Sequence, residues 1–142
     1  MGLDLIKKIF GALIFLSLST ALAFAVDDVP LPEVILTGLQ AYSMKGPEAA
    51  LNAWTKGGPL ENDPKVLGSV RVFQEVEKYY GRYNGYNLIR QKKLAPNSKL
   101  IYLQMNYEKG PLFIRFLCYF SGDQWVVSGR LVLNTEPDEV LN

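Results

Sequence analysis

Histidine is absent from this chain, and cysteine occurs once, at Cys118. Lack of histidine removes the commonest general base, the usual zinc ligand and every Ser-His or Cys-His nucleophile arrangement. One cysteine cannot form an internal disulfide, so the core must hold the fold without staples. No acidic cluster has calcium-loop spacing, and no glycine pattern leads from a strand into a helix as a phosphate cradle requires. Nor is one sign of charge in excess: 15 Lys and Arg stand against 14 Asp and Glu, which offers no basic surplus for nucleic acid. No metal or cofactor is called for, and the chemistry left is that of carboxylates and tyrosines.

One long uncharged run is present. Lys7 and Lys8 precede a stretch from Ile9 to Val26 without a charge, and Ala23-Phe24-Ala25 stands just ahead of Asp27 and Asp28. This is the layout of a secretory signal peptide with an A-x-A site. It predicts cleavage after Ala25 and an exported mature chain, periplasmic or secreted, with no membrane contact afterwards. The rival is an uncleaved anchor, since 18 uncharged residues reach the lower limit for a spanning helix. The small residues at 23 and 25 favour cleavage. Removing residues 1–25 takes away Asp4, Lys7 and Lys8 and leaves 13 charges of each sign. Residues 26–142 then predict a single domain with one core.

The first half of that domain reads as helical. Glu33 to Lys45 places Ile35, Leu39 and Tyr42 on one stripe before Gly46-Pro47 ends the pattern. A second helix starts at Pro47, anchors Trp54 and stops at Gly57-Gly58. The third has Asp63 as N-cap, Pro64 at its first position and Gly81 as its stop. Its stripe is Val66, Val70, Phe73, Val76 and Tyr80, and Glu77 falls inside that stripe.

The second half alternates with period two. A first strand over 86–94 carries Arg90, Lys92 and Lys93 as edge charges. A meander from Lys99 to Asn134 follows, three strands joined at Lys109-Gly110 and Gly122-Asp123. Two-residue loops there set Met105 opposite Ile114, Leu103 opposite Phe116, Cys118 opposite Val127 and Ile114 opposite Leu131. Apolar residues meet in each row, which fixes one face as the core. Gly129, facing Phe116, predicts a bend. Cys118 reads as a small core residue rather than a nucleophile. On the other face Gln104, Arg115 and Arg130 fall in one row with the arginines opposed, a repulsion unless an anion, a carboxylate or water separates them.

These patterns nominate a few site residues. Glu77 either reaches water or a basic partner at its helix end, or enters a pocket as a base or hydrogen-bonding anchor. Arg90 is its expected partner if Pro96-Asn97 makes a two-residue turn; a three-residue turn sends Arg90 outward. Tyr80 and Tyr83, in the aromatic corner over 79–86, line a pocket mouth or simply close the core.

The Asp63-Pro64 helix, Tyr107-Glu108-Lys109-Gly110-Pro111-Leu112-Phe113 and Gly122-Asp123-Gln124-Trp125-Val126-Val127, in this order, resemble the nuclear transport factor 2-like, or cystatin-like, superfamily across the mature chain. The resemblance implies an α+β fold, three N-terminal helices packed on a curved four-stranded antiparallel meander. It implies a pocket between helices and sheet, and dimers through the outer sheet face. The strand pair that many members carry between the second and third helices is not evident here. Members include isomerases, dehydratases and cyclases as well as non-catalytic binders, and none of their catalytic motifs matches a position in this sequence.

The leading expectation is therefore a non-catalytic binding or accessory domain for a small apolar or anionic ligand. A homodimer through Tyr102, Phe113, Leu117, Tyr119, Val126 and Val132 is expected unless the segment from Glu136 to Leu141 folds over them. Arg115 and Arg130 are candidate anion ligands. The alternative is a small lyase or isomerase with Glu77 as general base.

Overall fold

The computed structural model describes residues 29–142, so the expected signal peptide and its cleavage site lie outside the described residues. Among the described residues three helices, α1 (Glu33–Lys45), α2 (Pro47–Thr55) and α3 (Val66–Tyr80), precede an antiparallel sheet, and no helix there is long and apolar enough to cross a membrane. The strands are β1 (Tyr83–Ala95), β2 (Ser98–Tyr107), β3 (Pro111–Ser121), β4 (Gln124–Val127) and β5 (Val132–Asn134), followed by a short helix α4 (Asp138–Leu141). Neighbours run β1-β2-β3-β4, and β5 joins β3 beyond β4. The fold class is α+β.

Helices α1 and α2 begin and end where Pro47 and the flanking glycines place the breaks. The start of α3 shifts from Pro64 to Val66, because Asp63 spends its side chain on the Lys65 amide at 2.8 Å and caps a separate turn. Ile35, Leu39 and Tyr42 of α1, Leu51 and Trp54 of α2, and Phe73 and Val76 of α3 are buried against the sheet. Trp54 anchors this layer by donating its indole N–H to the Ile35 carbonyl at 3.1 Å. Gly38 makes that crossing possible, since any Cβ there would collide with the indole.

The inner sheet face is Ile101, Leu103, Met105, Leu112, Ile114, Phe116, Cys118 and Val127, all fully buried. The inward residues are those the alternation names, but the register of the first hairpin is two residues away. Met105 pairs with Leu112, Leu103 with Ile114 and Ile101 with Phe116. The turn over 107–110 keeps a two-residue loop but places it at Glu108-Lys109 instead of Lys109-Gly110, with the Tyr107 amide donating to the Gly110 carbonyl at 3.1 Å. Two backbone bonds tie it to the end of α3: the Lys109 amide donates to the Tyr80 carbonyl, the Glu108 amide to that of Arg82. A slip of two conserves the buried face, which is why alternation alone could not detect it.

The second hairpin opens as expected, Phe120 opposite Trp125 and Cys118 opposite Val127. The final strand then breaks into two, with Gly129 in the gap beside Leu117 rather than opposite Phe116. Past the break Ile114 faces Leu133 and Arg115 faces Val132, so Arg115 and Arg130 are not opposed. Arg130 is exposed in the gap.

Part of the outer face is covered by the C-terminal segment, while Tyr119 remains exposed. Val140 is fully buried on that face, Arg115 donates to the carbonyls of Val140 and Asn142 at 3.2 and 2.9 Å, and Arg90 donates to that of Leu141 at 3.2 Å. Backbone carbonyls, not the carboxylates of Glu136, Asp138 or Glu139, answer the arginines.

Candidate functional site

Two of the hollows that open on the inner side of the molecule lie about eight residues of β2 apart, roughly 26 Å at the usual rise per residue. At one end α1 supplies Tyr42, α3 supplies Glu77, β2 supplies Tyr107 and β1 supplies Tyr83. Glu77 lies one turn before the Gly81 stop of α3, so its carboxylate emerges half-buried at the helix end. It accepts a hydrogen bond from the Tyr42 hydroxyl at 2.9 Å, and that hydroxyl also bonds the Tyr107 hydroxyl at 2.9 Å. The Tyr83 ring packs 4.7 Å from Tyr42, and Phe73 meets Tyr42 edge-on at 5.4 Å.

Burial pushes the Tyr42 hydroxyl far above its ordinary range, and the neighbouring Tyr107 and Glu77 push it further. Tyr107 is raised by burial too, and Tyr83 is pushed up to about 12. All three therefore keep their protons at neutral pH and do not act as bases, and Tyr42 donates its proton in the bond to Glu77. Beside them is an open cleft of about 430 Å³ lined in part by Met44, Glu77, Arg82 and Tyr83. Arg82 is engaged with Glu108 at 2.9 Å and holds that exposed carboxyl below its usual range. Here the polar groups have found one another.

The nominated residues separate. Glu77 and Tyr83 meet at this cleft. Tyr80 is half-buried with its ring over Gly110, closing the core beside the first hairpin. Arg90 does not reach Glu77. The turn at Pro96-Asn97 does hold two residues, with Ala95 opposite Ser98, but an extra residue at Leu94 sets Lys93 opposite Lys99 and Arg90 opposite Tyr102. That bulge exchanges the faces of the strand, and the guanidinium lies 4.5 Å over the Tyr102 ring on the outer side. Arg115 holds the C-terminal segment and Arg130 stands away from it. Cys118 is buried in the inner face, and burial pushes its thiol up to about 12, so it stays protonated.

The second hollow, about 690 Å³, lies where the inner sheet face extends past the helices. The same bulge turns Gln91 and Lys93 inward, toward Lys99 and Trp125. Leu88, Ile89 and Val29 supply apolar wall, and the Gln91 amide donates to the Val29 carbonyl at 2.6 Å. Lys99 donates to Gln91 Oε1 at 3.0 Å and lies 4.6 Å over the Trp125 ring. Desolvation lowers its pKa below the usual lysine value. Lys93 is directly across the strand pair from it, and neither amine has a carboxylate partner among the described residues. No Asp or Glu of the described residues lines this pocket.

Sequence reasoning missed this site although one signal was present. The alternation that turns Ile101 and Leu103 inward also turns Lys99 inward, a charge on the core face as anomalous as Glu77 on its helix stripe. The bulge that adds Lys93 and Gln91 has no comparable signature in the chain. Set against family models, curated proteins and solved structures, the chain matches none of them.

Proposed function

We propose that this chain is an exported, non-catalytic binding domain, built on the nuclear transport factor 2-like plan of three N-terminal helices packed on a curved antiparallel meander, that holds a small molecule in the pocket between β1, β2 and Trp125. The observation that carries this reading is the 690 Å³ hollow with apolar walls and two amines lacking a carboxylate among the described residues. Its size and its few converging polar groups are those of a ligand site. With the C-terminal segment over the outer face, a homodimer there would have to displace contacts the chain already makes, so the reading rests on a ligand and not on a second copy.

Native mass spectrometry of the protein purified from the exported fraction tests it. The expected result is a small-molecule adduct that Ala95→Trp, which fills the pocket, removes. A protein of bare mass that no compound of a broad ligand library shifts in melting temperature overturns the reading, since a ligand specific to the folded state must raise it.

The alternative, a lyase or isomerase with Glu77 as general base, is favoured by the half-buried position of that carboxylate at the 430 Å³ cleft. It requires a substrate to displace the Tyr42 hydroxyl from Glu77.

A further inference from the structure

On the reading that the pocket between β1, β2 and Trp125 is a ligand site, we infer that its ligand is an amphipathic anion: a carboxylate or phosphate head held between Lys93 and Lys99, with an apolar chain running toward Ile89 and Val29.

Lys93 and Lys99 are directly opposed across an antiparallel pair, a placement in which like charges repel. They differ in surroundings. Lys93 is exposed at the rim, whereas Lys99 is half-buried, with its stem among strand residues and its amine placed between the Gln91 amide oxygen and the Trp125 face. Gln91 and Trp125 orient the Lys99 amine without neutralising it, one by a neutral acceptor and the other by a ring quadrupole. The depressed pKa of Lys99 has the same origin: burial partly desolvates its charge, and no carboxylate among the described residues pairs with it. A single anionic head between the two amines removes the repulsion and supplies charge-assisted hydrogen bonds to both.

The rest of the ligand follows from the walls. Ile89, Leu88 and Val29 are 40%, 39% and 51% exposed, a run of apolar surface leading away from the amines that an aliphatic or aromatic chain would bury. A cation is opposed by the two lysines, and a small hydrophilic anion leaves this wall wet.

The test compares probes that differ only in the head group. Laurate, 1-dodecanol, dodecyltrimethylammonium and acetate are added to the wild-type protein and binding is followed by thermal shift and Trp125-sensitive fluorescence. Laurate is expected to bind at least about tenfold more tightly than dodecanol, with no effect of the ammonium or of acetate. The Lys93→Gln and Lys99→Met variants are each expected to lose about that factor, the value of one charge-assisted contact. Lys93 is exposed, so its variant keeps the inference testable if replacement of Lys99 disturbs the fold.

Sedimentation with phosphatidylcholine vesicles containing or lacking phosphatidylglycerol identifies the source of the head group. Pelleting that needs both the anionic lipid and the lysines supports a lipid source, and laurate binding without pelleting supports a free amphiphile. Dodecanol binding as tightly as laurate, or laurate binding undiminished in both lysine variants, overturns the inference. If Ala95→Trp still abolishes the dodecanol effect, the pocket itself stands and only the ligand class fails. Laurate binding that survives Ala95→Trp overturns both. Asp27 and Asp28, which precede Val29 in the chain, provide the last arm: laurate that binds only to the Asp27→Asn/Asp28→Asn variant would make the chain's own acidic segment the occupant and overturn the inference.

Discussion

Both ends of the inner sheet face carry charged or hydroxyl groups where a core residue is expected, and the two ends treat them in opposite ways. At the Tyr107 end, Glu77 receives the Tyr42 hydroxyl, which also meets the Tyr107 hydroxyl, while aromatic rings pack around Tyr42. At the Lys99 end, among the described residues, an amine meets a neutral amide oxygen and an aromatic face, opposite a second amine. A satisfied polar network fixes a unique packing, whereas an unneutralised charge at a hollow retains the capacity to attract a counter-charge. The anomaly that sequence singles out, Glu77, is on this comparison a lock, and the one it passes over, Lys99, is the better binding group.

The widest separation between the ends should be in stability. Phe73 touches both Tyr42 and Trp54 and is fully buried, so Phe73→Ala should lower unfolding free energy by about 3–5 kcal/mol in urea titrations. Trp125→Ala, at the half-buried open end, should lower it by about 1 kcal/mol or less. Equal losses would erase the distinction between a locked and an open end.

Deleting residues 136–142 sharpens the comparison, since at the two hollows it frees only the Arg90 side chain. The loss of buried Val140 and of the carbonyls bound by Arg90 and Arg115 should lower stability by about 2–3 kcal/mol and expose apolar outer-face side chains. Light scattering should then show a dimer in the truncated protein, and the pocket's ligand response should be unchanged.

Within the lock, Tyr42→Phe leaves Glu77 and Tyr107 without their shared partner and should cost about 1–2 kcal/mol. Glu77→Gln keeps an acceptor oxygen and should cost less, about 0.5 kcal/mol, with ligand binding intact. Loss of a turnover activity in Glu77→Gln at unchanged stability would instead establish the general-base reading.

The smallest effects distinguish the ends by the sign of their pH dependence. Buried tyrosines hold their protons above pH 10 while the unfolded chain releases them, so their contribution is complete below about pH 10 and falls as pH rises toward the Tyr83 value of about 12. Lys99 behaves oppositely. Its folded-state pKa lies below the unfolded value near 10.5, so the folded state sheds that proton first and the penalty of its charge diminishes as pH approaches 10.5. Lys99→Met should therefore be neutral to slightly stabilising at pH 7, by about 0.5 kcal/mol, with an advantage over wild type that shrinks as pH rises from 7 toward the unfolded value of 10.5. A constant difference across that interval would place the Lys99 amine in a solvated setting and remove the contrast.

Much of the fold could be read from local pattern. Gly46-Pro47 divides α1 from α2, Gly81 stops α3, and strict alternation names the inner face from Ile101 to Cys118. Each is a property of a few neighbouring residues: a fixed φ, a missing N–H, a period of two. Of the residues nominated from sequence, Glu77 and Tyr83 do meet at one cleft while Arg90 and Arg130 go elsewhere, and the Lys93–Lys99 pocket was not nominated.

What only the tertiary structure decided are the shifts that conserve local pattern and change partners. The end of α3 holds the 107–110 loop and moves the first hairpin by two residues, a change invisible to alternation. The bulge at Leu94 reverses the strand, sending Arg90 to Tyr102 and bringing Lys93 and Gln91 to Lys99. The gap at 128–131 separates Arg115 from Arg130 and leaves Arg115 for the chain's own end. Period and capping are settled within one turn or strand, so sequence determined which residues of the three helices, β2 and β3 are inside, but not those of the bulged β1. Pairing between distant segments depends on where backbone hydrogen bonds can all be satisfied at once, so only the folded chain decides which of those residues meet.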